Sequence, residues 1–153
     1  MTGTTGPTVT FNNLTAVVDQ GPSGPFVAPN QSVPLDRDTY SSGTAILHPA
    51  GSPTIFLAPN QQYYVSYNTN IVTETGAGGT ATGIYSAALA LDGNGILGTQ
   101  TNVNLRGVTA DSVNVGGSSV IQTGAGGGEL TLINTGTASN TFANTGVTVV
   151  KLA

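Results

Sequence analysis

The sequence predicts an all-β fold, a sandwich or jelly roll made of short antiparallel strands. Glycine (22 residues) and proline (8) are frequent, and no stretch of a dozen residues repeats its apolar side chains at the helical period. Short runs with a period of two, bounded by glycine, proline and asparagine, recur instead. Eight or more such strands in a single domain of 153 residues fit a sandwich or jelly roll better than a repeat protein.

The strands are predicted from runs in which apolar and polar residues alternate. In chain order these runs lie at 9–18, 43–48, 53–58, 62–75, 81–91, 96–105, 118–124, 128–134 and 146–153. Residues 19–42 contain four prolines, and because proline cannot donate a ladder hydrogen bond, this span is predicted to be extended or to form an edge.

Turn residues separate the runs. Asp92-Gly93 and Asn94-Gly95 stand between apolar residues, which is the strongest short-range signal for a β-hairpin. The tetrapeptide GAGG occurs at 76–79 and again at 124–127. Both copies are predicted to be loops, because neither precedes a helix or carries the lysine of a phosphate-binding loop.

Three of the five tyrosines lie within five positions, in the run QYYVSYNTNIVTET. In a strand, Tyr63, Val65 and Tyr67 share one face, which is the apolar one, so they are predicted to point into the core. Tyr64 lies on the opposite face among polar neighbours. It is either a plain surface residue or a contact with another chain or a ligand.

Charge is scarce, and this excludes several classes of partner. Arg37, Arg106 and Lys151 are the only Lys or Arg residues, and the formal net charge is −4. Three cations cannot neutralise a run of phosphates, so no nucleic-acid partner is expected. Apolar runs are far shorter than about 20 residues, so no membrane insertion is expected. The absence of cysteine excludes disulfides and thiolate chemistry.

No catalytic, cofactor or metal site is predicted. His48 is the only histidine, and no serine or aspartate can be placed beside it from the sequence, so it is interpreted as a solvated or capping residue. Asp36 and Asp38 have a spacing that suits a hard cation. The favoured interpretation is a solvated loop, or an intersubunit pair that uses Arg37. Asp92 and Asn94 also have calcium-compatible spacing, which the hairpin explains without a metal.

Two segments carry a resemblance to a known family. The segment IFLAPNQQYYVSYNT (55–69) resembles the signature strand of the globular heads of complement 1q and its relatives, and NTFANTGVTVVKLA (140–153) resembles their closing strand. From SSGTAILHPAGS (41–52) through SAALALDGNGILGTQ (86–100) to the closing VVKLA (149–153), the chain more closely resembles the C-terminal domain of the collagen-like exosporium glycoproteins of spore-forming bacteria (BclA type). The resemblance implies a homotrimeric jelly roll of the tumour-necrosis-factor-like class. Its expected core residues are Phe56, Tyr63, Val65, Tyr67, Phe142, Val147, Val149 and Leu152.

The N-terminus supports the same resemblance. GTTGPT (3–8) is two Gly-X-Y triplets, and the collagen triple helix needs glycine at every third position because only glycine fits its axis. Residues 1–8 are therefore interpreted as the end of a collagen-like stalk, and residues 9–153 as a single jelly-roll head. A collagen stalk requires three chains, so the head is expected to be trimeric.

The predicted function is structural and non-enzymatic. The head is expected to cap a collagen-like filament on the spore surface, outside the cell, to trimerise the stalk and to mediate adhesion. The expected partners are two further copies of the chain, and host surface or matrix molecules or glycans; Tyr64 and Arg37 are the candidate contacts. The alternative is the trimeric receptor- or carbohydrate-binding tip of a phage or bacteriocin fibre, and the sequence that precedes residue 1 would distinguish the two.

Overall fold

A computed structural model of the protein describes residues 24–73 and 79–153, together with the backbone of residues 13–17. Every regular element in these ranges is a β-strand. The strands are β1 (Asn13–Val17), β2 (Phe26–Val27), β3 (Arg37–Ser41), β4 (Ile46–Leu47), β5 (Thr54–Leu57), β6 (Gln62–Val72), β7 (Ala81–Leu91), β8 (Asn94–Gly95), β9 (Thr101–Val108), β10 (Ser112–Gln122), β11 (Gly128–Asn134) and β12 (Asn140–Lys151).

The strands form two antiparallel sheets that pack as a sandwich. The first sheet has the order β10-β6-β12-β1-β3, and β2 also pairs with β12. The second has the order β4-β5-β11-β7-β8, and β9 also pairs with β7. Neighbours in space are mostly distant in sequence, as in a jelly roll. The predicted all-β jelly-roll class is confirmed.

The core lies between the two sheets and is made by alternate residues of each strand. On β6, Tyr63, Val65 and Tyr67 point inward and are at most 5% exposed. The same hydrophobic core includes Ile55 of β5 and Leu89 of β7 from the second sheet. Because β-strand side chains alternate between faces, burying one face of β6 leaves every other residue free for another role.

Strand β10 is longer than the sequence predicts, since it begins at Ser112 and not at residue 118. Its first half is polar and contains Gly116 and Gly117, which weaken a strand pattern read from sequence alone. Continuous pairing with β6 holds this half in the sheet. Glycine is required at 117 because a Cβ there would lie 2.4 Å from the backbone carbonyl oxygen of Thr99.

The hairpin predicted at "DGNG" is confirmed. Asp92 and Gly93 form its two-residue turn, with φ of 51° and 77°, the positive values that a type I′ turn needs. Leu91 pairs with Asn94 on the returning strand. The second dipeptide, Asn94-Gly95, is therefore the short strand β8 and not a separate turn.

Two residues expected in the core lie on the surface. Phe56 is 42% exposed, because Ile55 and Leu57 on either side of it point inward and the alternation of β5 turns Phe56 outward. Leu152 is 48% exposed, because it follows the end of β12. The remaining residues of the expected core set lie inside and are at most 5% exposed: Tyr63, Val65, Tyr67, Phe142, Val147 and Val149.

Candidate functional site

Tyr63 and Tyr67 connect the two sheets through their hydroxyl groups. The Tyr67 hydroxyl lies 2.6 Å from the carbonyl oxygen of Ala87 and 2.9 Å from that of Thr99. The Tyr63 hydroxyl lies 3.1 Å from the carbonyl oxygen of Ala45. Each phenol donates to backbone beyond the core, so the polar end of a buried ring finds the partner it requires. These two tyrosines are structural residues.

Burial also governs the ionisation of these phenols. It raises the pKa of both Tyr63 and Tyr67 above the usual tyrosine value, because a phenolate inside the sandwich would lose its hydration. Hydrogen bonds to Ala58 and Thr101, respectively, act in the opposite direction. Both phenols therefore stay protonated in the folded protein at neutral pH, and neither has the lowered pKa of an activated acid or base.

Tyr64 lies on the other side of β6, on the surface of the first sheet that faces away from the core, and is 38% exposed. It stands directly opposite Val120 of β10 and Val150 of β12. Two residues further along β6, Ser66 stands between residues 118 and 148 of the same two strands. We call the outward surface of these three strands the neutral face. It comprises Tyr64, Ser66, Ser118, Val120, Thr148 and Val150.

The neutral face is almost without charge. In the three strands that form it, β10, β6 and β12, the only charged residue is Lys151, at the end of β12. Further along the face, Asn68 and Asn114 exchange two side-chain hydrogen bonds of 3.1 Å, and Asn114 donates another of 2.8 Å to Asn70. These asparagine amides pair with one another and need no charged partner.

His48 is not solvated, contrary to the interpretation from the sequence. Its side chain is fully covered, with Nδ1 2.8 Å from Oδ1 of Asp38 and Nε2 2.9 Å from the carbonyl oxygen of Ser52. Because a carbonyl can only accept, Nε2 donates that bond. Asp38 lies on β3 of the first sheet and His48 follows β4 of the second, so the pair ties the two sheets together.

The pairing of Asp38 with His48 accounts for one of the two carboxylates that could have shared a cation. Asp36 is exposed, and Arg37 is exposed at the start of β3, where its backbone pairs with residue 17. Within residues 24–73 and 79–153, no group of three or more His, Asp or Glu side chains could hold a metal ion. An intersubunit contact of Arg37 remains a prediction.

One structurally important polar residue was missed by the sequence analysis. Asn134 is fully buried, and its amide nitrogen donates to the carbonyl oxygens of Val27 (2.8 Å) and Ala138 (3.0 Å). Its side-chain oxygen accepts from the N–H of Gly136 at 2.9 Å. An asparagine that follows the apolar run ELTLI reads as a turn residue, and nothing local shows that it anchors β2.

Structures of known proteins share this fold. The crystal structure of murine APRIL at pH 5.0 has a TM-score of 0.58 and 12% identity, covering 94% of this chain and all of that one. The globular domain of zebrafish complement 1qA protein has a TM-score of 0.55 and 7% identity, covering 92% of this chain and 95% of that one. No family model and no curated protein matches the sequence. No helix in the described residues is long and apolar enough to cross a membrane. The two structural similarities show that the chain has the jelly-roll fold of the tumour-necrosis-factor-like and complement-1q-like domains.

Proposed function

We propose that the chain is a structural, non-enzymatic head that assembles as a homotrimer through its neutral face. The observation that carries this proposal is the row of the exposed Tyr64 and Val120 and the half-buried Val150 on a face without opposing charges. Aromatic residues are enriched, and charged residues depleted, at the centres of protein interfaces. A surface with almost no charge also meets copies of itself without like-charge repulsion.

The placement of this head on a bacterial spore rests on the sequence resemblance. The strand with Tyr63, Tyr64 and Tyr67 and the two Gly-X-Y triplets at 3–8 resemble exosporium proteins that carry a collagen-like stalk. The triplets lie outside the residues that the structure describes. In this proposal the trimer holds three stalks together and presents a neutral surface for contact with other surfaces. A fibre tip of a phage or bacteriocin is the alternative.

Self-association is tested by measuring molar mass with light scattering on a sizing column. We expect three times the chain mass of 15.2 kDa for the natural sequence. Tyr64→Glu places a carboxylate in the neutral face and should reduce the mass towards that of one chain. Ile84→Glu is the matched control, because Ile84 is 37% exposed on the second sheet and Tyr64 is 38% exposed. A monomeric natural chain, or equal behaviour of the two variants, would overturn the proposed interface.

The cellular location is tested separately. Gold-labelled antibodies raised against the folded head should decorate the outer ends of surface filaments on intact spores. Spores without label, with label on isolated phage or bacteriocin particles, would replace the spore proposal by the fibre-tip alternative. The sequence upstream of residue 1 provides a further check, since a long run of Gly-X-Thr triplets is expected only for a spore filament.

A further inference from the structure

The second sheet carries an exposed row of residues that differs from the neutral face. Leu47 on β4 lies opposite Phe56 on β5, and Phe56 lies opposite Glu129 on β11. The backbone N–H of Asp92, in the β7–β8 turn, donates to the carbonyl oxygen of Glu129 at 2.9 Å. Oδ1 of Asp92 accepts from the Glu129 N–H at 2.8 Å. We call Leu47, Phe56, Glu129 and Asp92 the amphipathic row, because one half is apolar and the other is anionic.

A cavity of about 460 Å³ lies over the middle of this row. It is lined by Phe56, Leu57, Asp92, Gly126, Gly127, Gly128 and Glu129. That volume falls within the range of roughly 300–1,000 Å³ that small-molecule sites occupy. Phe56 and the adjoining Leu47 are both exposed, so the cavity has an apolar surface beside its two carboxylates.

The two carboxylates have no cationic partner in the described ranges. Among residues 24–73 and 79–153 the single close contact between a carboxylate and a basic side chain joins Asp38 and His48. One oxygen of Asp92 is occupied by the backbone of Glu129, and the Glu129 side chain is exposed. Two carboxylates at the same cavity, in a chain with a net charge of −4, favour a ligand that carries positive charge.

Three glycines in a row, Gly126, Gly127 and Gly128, form part of the cavity lining. Gly126 is exposed at the β10–β11 turn, so a bound molecule would meet peptide groups there and no side chain. Gly127, with φ of 84°, must stay glycine, because a Cβ would lie 2.5 Å from the carbonyl oxygen of Leu57. A Cβ on Gly126, in contrast, would meet nothing within 4 Å. The turn therefore packs closely on β5 at Gly127, while Gly126 faces open space.

We propose that this cavity binds an oligosaccharide that carries free amino groups. The C–H faces of its sugar rings would lie on Phe56 and Leu47, and a protonated amine would lie between Glu129 and Asp92. Its hydroxyl groups would bind the backbone of Gly126. Unpaired carboxylates favour an amino sugar over a neutral sugar. The two strands that line the cavity, β5 and β11, are internal strands of the sheet, so a basic peptide could not pair with either as an added strand.

The test compares two probes of equal length, a β-1,4-linked glucosamine tetramer and its fully N-acetylated form. Chemical shifts of the isotope-labelled head are followed as each probe is added, at low salt and about pH 6, where such amines are protonated. We expect the glucosamine tetramer to shift the amides of the β10–β11 turn. The acetylated tetramer should bind about tenfold more weakly or not at all, because it lacks the charge-assisted hydrogen bonds.

Three variants locate the site. Gly126→Val adds a branched side chain to the cavity lining and should weaken binding, whereas Gly124→Val is the matched control, since a Cβ at Gly124 also meets nothing within 4 Å and Gly124 does not line the cavity. Glu129→Gln should weaken binding about tenfold. Phe56→Ala should weaken it about two- to fivefold, because a sugar ring would lose the apolar surface on which its C–H face lies.

Three outcomes would overturn the proposal: equal affinity for the two tetramers, affinity unchanged by Gly126→Val, or no shift at any probe concentration. The molar mass of each variant is measured on the same samples. A trimer that binds no tetramer leaves the proposed assembly intact, and a monomer that binds the glucosamine tetramer leaves the saccharide site intact. The two proposals therefore fail separately.

Discussion

The neutral face and the amphipathic row lie on opposite sides of one core, and both consist of residues that the core does not use. On β6, burial of Tyr63 and Val65 turns Tyr64 outward; on β5, burial of Ile55 and Leu57 turns Phe56 outward. Both strands alternate inward and outward side chains, but their outward residues have different neighbours. The alternation determines that a residue is exposed, and its neighbours on adjacent strands determine what it can contact.

Those neighbours are what distinguish the two surfaces. Tyr64 stands between two valines, Val120 and Val150, on strands with almost no charge. Phe56 stands between Leu47 and Glu129, next to the turn that holds Asp92. The first arrangement suits a copy of itself, since no like charges meet. The second would place carboxylates opposite carboxylates in a self-contact, and therefore suits a cationic ligand instead.

The largest expected effect comes from neighbouring residues on β5 that face opposite ways. Ile55 is 1% exposed and Phe56 is 42% exposed. Ile55→Ala should lower the free energy of unfolding by about 2–5 kcal/mol, because it leaves a cavity in the core. Phe56→Ala should change it by only about 0.5 kcal/mol, as expected at a surface position. Urea denaturation at equal protein concentration measures both. A similar loss for the two variants would mean that Phe56 is packed against another chain.

A smaller effect is expected at Tyr67, whose hydroxyl spans the core. Tyr67→Phe leaves the carbonyl groups of Ala87 and Thr99 without this donor and should cost about 1–3 kcal/mol at neutral pH. The exposed neighbour Tyr64 provides the control, because Tyr64→Phe buries no acceptor and should leave the stability of each folded chain unchanged.

Tyr67 also predicts how stability responds to alkali. Its pKa is raised in the folded state, so above about pH 10 the unfolded chain loses the proton while the folded chain keeps it. The stability is fully present below that pH and declines as the pH rises through the folded-state pKa. Urea midpoints measured at several pH values should fall less steeply in Tyr67→Phe than in the natural chain. Parallel curves would contradict a buried, protonated phenol at this position.

The smallest effect is expected for the pair that joins the two sheets at their edge. His48 and Asp38 are 2.8 Å apart, with His48 covered and Asp38 partly exposed. A double-mutant cycle with His48→Ala and Asp38→Ala should give a coupling energy of about 1 kcal/mol in urea denaturation at neutral pH. Variants whose separate losses simply add would show that the contact does not stabilise the fold.

The local sequence pattern was sufficient to predict the orientation of residues whose environment depends on their own strand or turn. Tyr63 and Tyr67 were placed inward and Tyr64 outward by the period of two, and the structure has them there. The hairpin at Asp92-Gly93 followed from turn chemistry alone. Phe56 shows the limit of resemblance: a family signature suggested the core, while the alternation of its own strand turns it outward.

Contacts between distant segments could not be predicted in the same way. His48 meets Asp38 only because the first residues of β3 and the end of β4 lie near one another in different sheets. The amphipathic row draws Leu47, Phe56, Asp92 and Glu129 from segments separated by up to 82 positions, the difference between 129 and 47. The pairing register between strands determines which residues form such a row. A shift of one residue would turn every side chain of the shifted strand to the other face of the sheet.

The sequence by itself determined the all-β class, the inward face of β6, the tight hairpin and the scarcity of charge, because alternation, turn residues and composition act over a few neighbouring positions. Only the tertiary structure decided what lies beside each outward residue. Strand order and register depend on how two whole sheets bury their apolar sides against each other. They bring together the residues of the neutral face, the amphipathic row and the His48–Asp38 pair, and no local sequence pattern predicts those contacts.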